Sequence, residues 1–203
     1  MHPMPHHVSP VKPWDRTLRT GLLAGALLSF GTSCNRSATK TTAPLAPIPL
    51  EAAKELSATL GSTLLGELQR AIADHGPAQA VAVCADRAPG IAKELSQGAY
   101  TIRRIGTRVR NQGQNTPTQG ERAILGQLST SAPSFQGEVD GRPVVMQAIF
   151  LAAPLCLTCH GTNEQIPEAV RTQLAERYPN DEATGYALGD LRGAFVVERK
   201  PAH

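Results

Sequence analysis

Aromatic side chains are scarce in this 203-residue chain: four Phe, three Tyr and one Trp, 4% of the residues. That argues against an aromatic-rich protein core and leaves room for a large apolar cofactor to supply part of the interior. Long apolar runs are almost as scarce. The one that stands out is "GLLAGALLSFG", Gly21 to Gly31, and eleven residues are too few to span a bilayer. An excess of one charge is missing too. The chain carries 20 basic and 17 acidic residues, but Lys12, Arg16 and Arg19 stand against Asp15 in the first 33 residues. The remainder holds 17 basic and 16 acidic residues, a balance that gives nucleic-acid binding no electrostatic footing. With 41% hydrophobic and 18% charged residues, the composition is globular, and the length suits one domain rather than two.

The basic stretch followed by the short apolar run reads as an export signal over residues 1–33. "GTSC", Gly31 to Cys34, is like a lipoprotein box with Cys34 as the acylated first mature residue, although Gly31 stands where such signals prefer Leu. The alternative is cleavage farther along. Either way the chain is expected to leave the cytoplasm, for the periplasm; on the lipoprotein reading Cys34 is the membrane anchor. Residues 34–49, rich in Thr and Pro, read as a tether, and residues 50–203 as the domain.

Within the domain, Leu56, Leu60, Leu64, Leu68 and Ile72 recur every four residues and predict a helix with one apolar face. "DHGP", Asp74 to Pro77, ends it. A second helix carries Val81, Cys84, Ala88, Ile91 and Leu95 on one stripe and must kink or restart at Pro89-Gly90. Tyr100 to Ile105 reads as a strand, and Arg110 to Pro117 as a loop. Thr118 and Glu121 form a capping box for a short helix bearing Ile124, Leu125 and Leu128. Asp140-Gly141 between two β-rich runs predicts a hairpin. A helix near Pro167 to Tyr178 and a strand near Gly193 to Arg199 complete the order. Helices first, then an antiparallel sheet with helical insertions, is an α+β domain.

Four cysteines remain to be explained. Cys156, Cys159 and His160 fall in "CLTCH", the C-x-x-C-H attachment pattern of haem c. Two thiols must reach two vinyl groups of one porphyrin, and one helical turn brings them to the same side. The imidazole that follows is placed to point at the iron as the proximal ligand. A redox pair has no use for the trailing His, and adjacent Cys and His rarely share one zinc ion. On the other face of the iron the candidates are few. Beyond the signal there are His75, His203, Met146 and Cys84. From pattern alone Cys84 is either a buried thiol acting as a small hydrophobe or a thiolate ligand.

Six segments in order resemble a haem-binding PAS-like family of c-type cytochromes. They are "AVCADRAPGIA" (82–92), "RIGTRVRN" (104–111), "NTPTQGE" (115–121), "CLTCHG" (156–161), "YPNDEATGY" (178–186) and "GDLRGAF" (189–195). The likeness covers about residues 50–199. It implies a PAS-like antiparallel sheet with N-terminal helices packed around one covalent haem, and it implies Cys84 as the second axial ligand. The chain departs from the family where Gln112 and Gly113 intervene after Asn111, and where Gly120 replaces a Trp. Arg104, Arg108, Arg110 and Arg192 are candidates to pair with haem propionates, since a guanidinium fork matches a carboxylate. Asp181 and Asp190 read as turn and cap residues. With both axial positions filled and no acid–base residue over the iron, enzyme chemistry is not expected. The reading is electron transfer with a redox partner, or redox or gas sensing through a separate signalling partner. The four cysteines then divide into lipid anchor, ligand and two thioethers, which leaves no structural disulfide.

Overall fold

A computed structural model describes residues 45–96 and 98–200. The first helix, α1, runs Leu50–Asp86 and is broken at Gly76, whose φ of 80° and ψ of 168° are not helical. That break falls inside "DHGP", because Gly76 takes the positive φ at low cost and Pro77 can only begin a new turn. Arg87 follows, and the chain restarts as α2, Ala88–Leu95, with Pro89 in its first turn.

Four strands make one antiparallel sheet in the order β1-β4-β3-β2. They are β1 Tyr100–Gly106, β2 Ser134–Val139, β3 Arg142–Phe150 and β4 Leu191–Arg199. The β2–β3 turn is the expected two-residue hairpin, with Asp140 and Gly141 both at positive φ. Between β1 and β2 lie α3, Gln112–Asn115, and α4, Gln119–Leu125. The first of these is a departure from expectation: the stretch read as loop holds one helical turn, and the intervening Gln112 and Gly113 form its start. The capping box on α4 is complete, with Thr118 Oγ1 accepting from the Glu121 backbone and the Glu121 carboxylate accepting from Thr118 N. Between β3 and β4 lie α5, Pro154–His160, and α6, Glu168–Arg177.

Both faces of the sheet are covered, which is why the central strands read as almost unbroken apolar runs. On one face Val144, Met146, Ala194 and Val196 pack with Leu125 and Leu128. On the other Val145, Val197 and Ile102 pack with Leu60 of α1 and Ile91 of α2. The α+β class expected from the order of elements is the class observed. The domain begins earlier than residue 50, however. Ile48, placed in the tether by composition, is 1% exposed in the second cluster. Its carbonyl accepts from Gln136 Nε2 at 2.6 Å, and Arg199 holds the carbonyls of Ala46 and Pro47. Cys34, the signal and most of the tether lie outside the described residues, as does His203.

Candidate cofactor site

Where β3 leaves the sheet its register with β4 slips between Ile149 and Phe150. Such a bulge turns the strand and opens space beside it. Ile149, Phe150 and Leu151 form one wall of that space. Leu68 and Ile72, the far end of the leucine stripe, form a second wall with Ala80, Val81 and Cys84, all from α1. The third wall is α5, with Leu155, Cys156, Cys159 and His160. The cavity is about 190 Å³, set in about 790 Å³ of atom-free space that includes its mouth. A single metal ion fills a small fraction of that; a flat organic group suits it better.

α5 is a short helix with Pro154 in its first turn, and none of its residues is fully buried. Its spacing places Cys156 and Cys159 on the cavity together, with His160 beside them. His160 Nδ1 lies 2.7 Å from the carbonyl oxygen of Ala183. That oxygen can only accept, so Nδ1 carries the proton and Nε2 keeps its lone pair for a ligand role. The ring is locked further by the loop before β4. Tyr186 N donates to the carbonyl of His160 at 2.9 Å, and the Tyr186 ring meets the imidazole edge-on at 6.2 Å. Burial, reinforced by Arg110 and Arg192, holds the His160 pKa well below its usual value and keeps the imidazole neutral.

Burial also raises the Cys84 pKa, against the opposing pull of Arg104 and Arg110. It pushes that of Cys159 up to about 11. Both are therefore thiols at neutral pH in the protein alone. A bound cation would invert this for Cys84, because a coordinated thiol loses its proton outright.

The four candidate arginines divide. Arg192 lines the cavity and donates from Nη1 to the Arg108 carbonyl at 3.0 Å, but its buried Nε has no partner. Burial lowers its pKa to about 10, so it stays charged at neutral pH. A buried donor without an acceptor costs about 1–3 kcal/mol, and a carboxylate entering the cavity would supply one. Arg110 lines the cavity too, but it is already bonded to Asp181 and to two backbone carbonyls. Arg104 has no carboxylate partner among the described residues, burial lowers its pKa, and it is not among the residues that line the cavity. Arg108 is not on the cavity wall. It stacks on the Tyr186 ring at 3.8 Å and donates to the carbonyls of Thr184 and Gly185.

Of the other residues weighed for the second ligand position, His75 is exposed at the α1 break and Met146 is fully buried in the sheet core. Neither lines the cavity. Asp181 and Asp190 both accept from backbone N–H groups, at 2.8 Å each, as turn residues do. Gly120 sits against the β2–β3 hairpin, where a Cβ would come within 2.5 Å of Asp140 Oδ1, so its departure from the family pattern does not touch the cavity. Sequence reasoning missed Ala183 and the positioning role of Tyr186. A backbone carbonyl leaves no residue-type signal, although the segment "EATGY" that carries it was part of the family pattern.

The donor set fits a porphyrin better than a zinc ion. Zinc needs about four ligands closing on one point, and no cluster of three or more His, Cys, Asp or Glu side chains is arranged for this among the described residues. What the cavity offers is apolar walls, two thiols and an imidazole on one side, a third thiol on α1, and an unsatisfied guanidinium.

The model of a family described as Tll0287-like matches residues 26–199. Among solved structures, that of the cyanobacterial heme-protein Tll0287 matches with a TM-score of 0.57 and 25% identity. The match covers 74% of this chain and 95% of that one. No curated protein matches the chain.

Proposed function

The chain belongs to the Tll0287-like family, and from that premise we propose that it is a monohaem c-type cytochrome acting in electron transfer. Cys156 and Cys159 would hold haem c by thioether bonds, and His160 and Cys84 would be its iron ligands. Arg192 would pair with a propionate, with Arg104 and Arg110 as further cations. When bound, the haem supplies a one-electron couple. The protein supplies a dry cavity, a neutral imidazole of fixed tautomer, and a thiol that ionises on coordination. The observation that carries the reading is the meeting of Cys84 with Cys156, Cys159 and His160 on one apolar cavity.

With His160 and Cys84 both as iron ligands, substrate would have to displace one of them, so we read the protein as a non-enzyme. A thiolate favours ferric iron and a low potential. We place the protein outside the cytoplasm, lipid-anchored at Cys34 in the periplasm, with a redox partner still to be identified. The second reading is a haem sensor working through a separate signalling partner. What favours it is that Cys84 stands on α1 while Cys156, Cys159 and His160 share α5, so Cys84 would be the ligand that a small molecule could replace.

One experiment tests both attachment and anchor. The mature protein, purified from the membrane fraction, is expected to hold its colour through acid–acetone extraction. Its mass is expected to exceed that of the polypeptide beginning at Cys34 by one haem and a lipid. Cys156→Ala with Cys159→Ala should abolish the bound colour completely. A colourless wild type overturns the haem reading; a first residue downstream of Cys34 overturns the anchor alone.

A further inference from the structure

We infer that Arg110, clamped by Asp181, sets the electron-donor strength of His160 through a carbonyl oxygen that the two side chains share. The inference rests on the reading of His160 as iron ligand. Arg110 follows β1, and its neighbour Val109 accepts from Glu182 N at 3.0 Å, which ties this segment to the loop before β4. Its Nε donates to Asp181 Oδ2 at 2.9 Å. Its Nη2 donates to the Cys159 carbonyl at 2.6 Å and to the Ala183 carbonyl at 3.2 Å. The other Asp181 oxygen accepts from Ala183 N at 2.8 Å. The ion pair is close to nine-tenths buried on both sides, and Ala183 is wholly buried. Arg110 and Asp181 therefore hold Ala183 from its N–H and its C=O at once, and that C=O is the acceptor for His160 Nδ1 at 2.7 Å.

An oxygen that accepts from a guanidinium is a poorer acceptor for a second donor. The cation draws electron density toward itself. The His160 Nδ1–H bond is then weaker than it would be alone, the ring keeps less imidazolate character, and Nε2 donates less to a metal. Partners of this kind tune metal sites through the ligand's far nitrogen. Arg110 is thus a positioning and tuning residue, and much of its hydrogen-bonding capacity is committed before any cofactor binds.

The test uses the full-length haem-loaded protein with two readouts. One is the midpoint potential. The other is the iron–histidine stretching frequency, recorded by resonance Raman on ferrous protein in a Cys84→Ala background, where no side chain of residue 84 can ligate. Arg110→Gln and Arg110→Lys are both expected to raise the stretching frequency and lower the potential, with the smaller potential shift in Arg110→Lys, which keeps the charge but lacks the planar fork. Asp181→Asn, which loosens the clamp and keeps the guanidinium, is expected to move the frequency in the same direction. A lysine variant with wild-type frequency and potential would mean that charge alone is at work, and the inference fails. An unmoved frequency in all three variants overturns it equally. A protein with no iron–histidine band overturns the ligand assignment and this inference with it.

Discussion

At the hairpin end of β3 the carboxylate of Glu121 is 2% exposed and fully answered from within the chain. Thr118 N and the Arg103 guanidinium donate to it, Arg103 also reaches Glu198 at 3.2 Å, and Arg142 closes on Glu198 at 3.1 Å. At the other end of the same nine-residue strand, α5 has no fully buried residue and Arg192 holds a buried Nε with no acceptor. Three thiols and an imidazole share that cavity. One end is a finished structure whose polar groups satisfy each other; the other is finished only by a guest of matching chemistry. Strength and function are thereby separated along one strand, and substitutions at the two ends should behave differently with and without haem.

Cys84→Ser should give the largest effect. It is expected to remove the sulfur-to-iron charge-transfer band and the narrow spread of g values in ferric EPR, raise the potential, and speed carbon monoxide binding. The haem should stay attached, because on the proposed reading the thioethers would come from Cys156 and Cys159. The hairpin end should not register the change. If wild type already binds carbon monoxide readily after reduction, while the ferric form excludes imidazole, the sensor reading gains over electron transfer. An unchanged ferric spectrum in Cys84→Ser would remove this side chain from the ligand set.

Glu121→Ala comes next, and it tests the finished end. Removing one partner of a buried pair costs about 3–5 kcal/mol, because the other charge is left uncompensated. Arg103 keeps Glu198 and is about one-third exposed, which argues for the lower part of that range. The loss also removes half of the capping box on α4, the bond from Thr118 N to the carboxylate, while Thr118 Oγ1 still accepts from the backbone N–H of residue 121. Denaturant melts of the haem-loaded protein and of the Cys156→Ala/Cys159→Ala chain should show the same loss in both. A loss that differs between them by more than about 1 kcal/mol would mean that the two ends are coupled and that the separation is wrong.

The finished end was also the more legible one. Its signals are local: Asp140-Gly141 fixes a two-residue turn, and Thr118 with Glu121 fixes a helix start, each within four residues of chain. The leucine stripe was legible as a helix, but not as two things at once. Leu60 packs on the sheet while Leu68 and Ile72 face the cavity, and periodicity alone cannot say where one role ends. The single turn Gln112–Asn115 was missed because four residues are too few to show a helical period. Ile48 was missed because Pro-rich composition says nothing about docking. At the cavity, the residue types with chemistry were visible, while the bulge at Ile149, the Ala183 carbonyl and the ties that commit Arg110 and Arg108 were not. All of those depend on backbone placement across long sequence separations.

The smallest effect expected, and the sharpest test of the unfinished end, is Arg192→Met. Methionine keeps an unbranched stem of similar reach and removes the guanidinium. In the chain without haem the substitution gives up the bond from Nη1 to the Arg108 carbonyl. It also relieves a buried charge whose Nε is unsatisfied and whose pKa burial has lowered to about 10. These oppose each other, so the melt of the Cys156→Ala/Cys159→Ala chain should change little. In the loaded protein there is no such offset. On the proposed reading the guanidinium would then be paired with a carboxylate, and a hydrogen bond to a charged group contributes about 1.5–3 kcal/mol. The loaded protein should therefore lose roughly that much stability on substitution while the empty chain does not. The contrast requires the guest rather than the fold to be the missing acceptor. Equal losses in the two forms would assign Arg192 to the fold alone, and the unsatisfied Nε would then mark a strained structural position and not a haem contact.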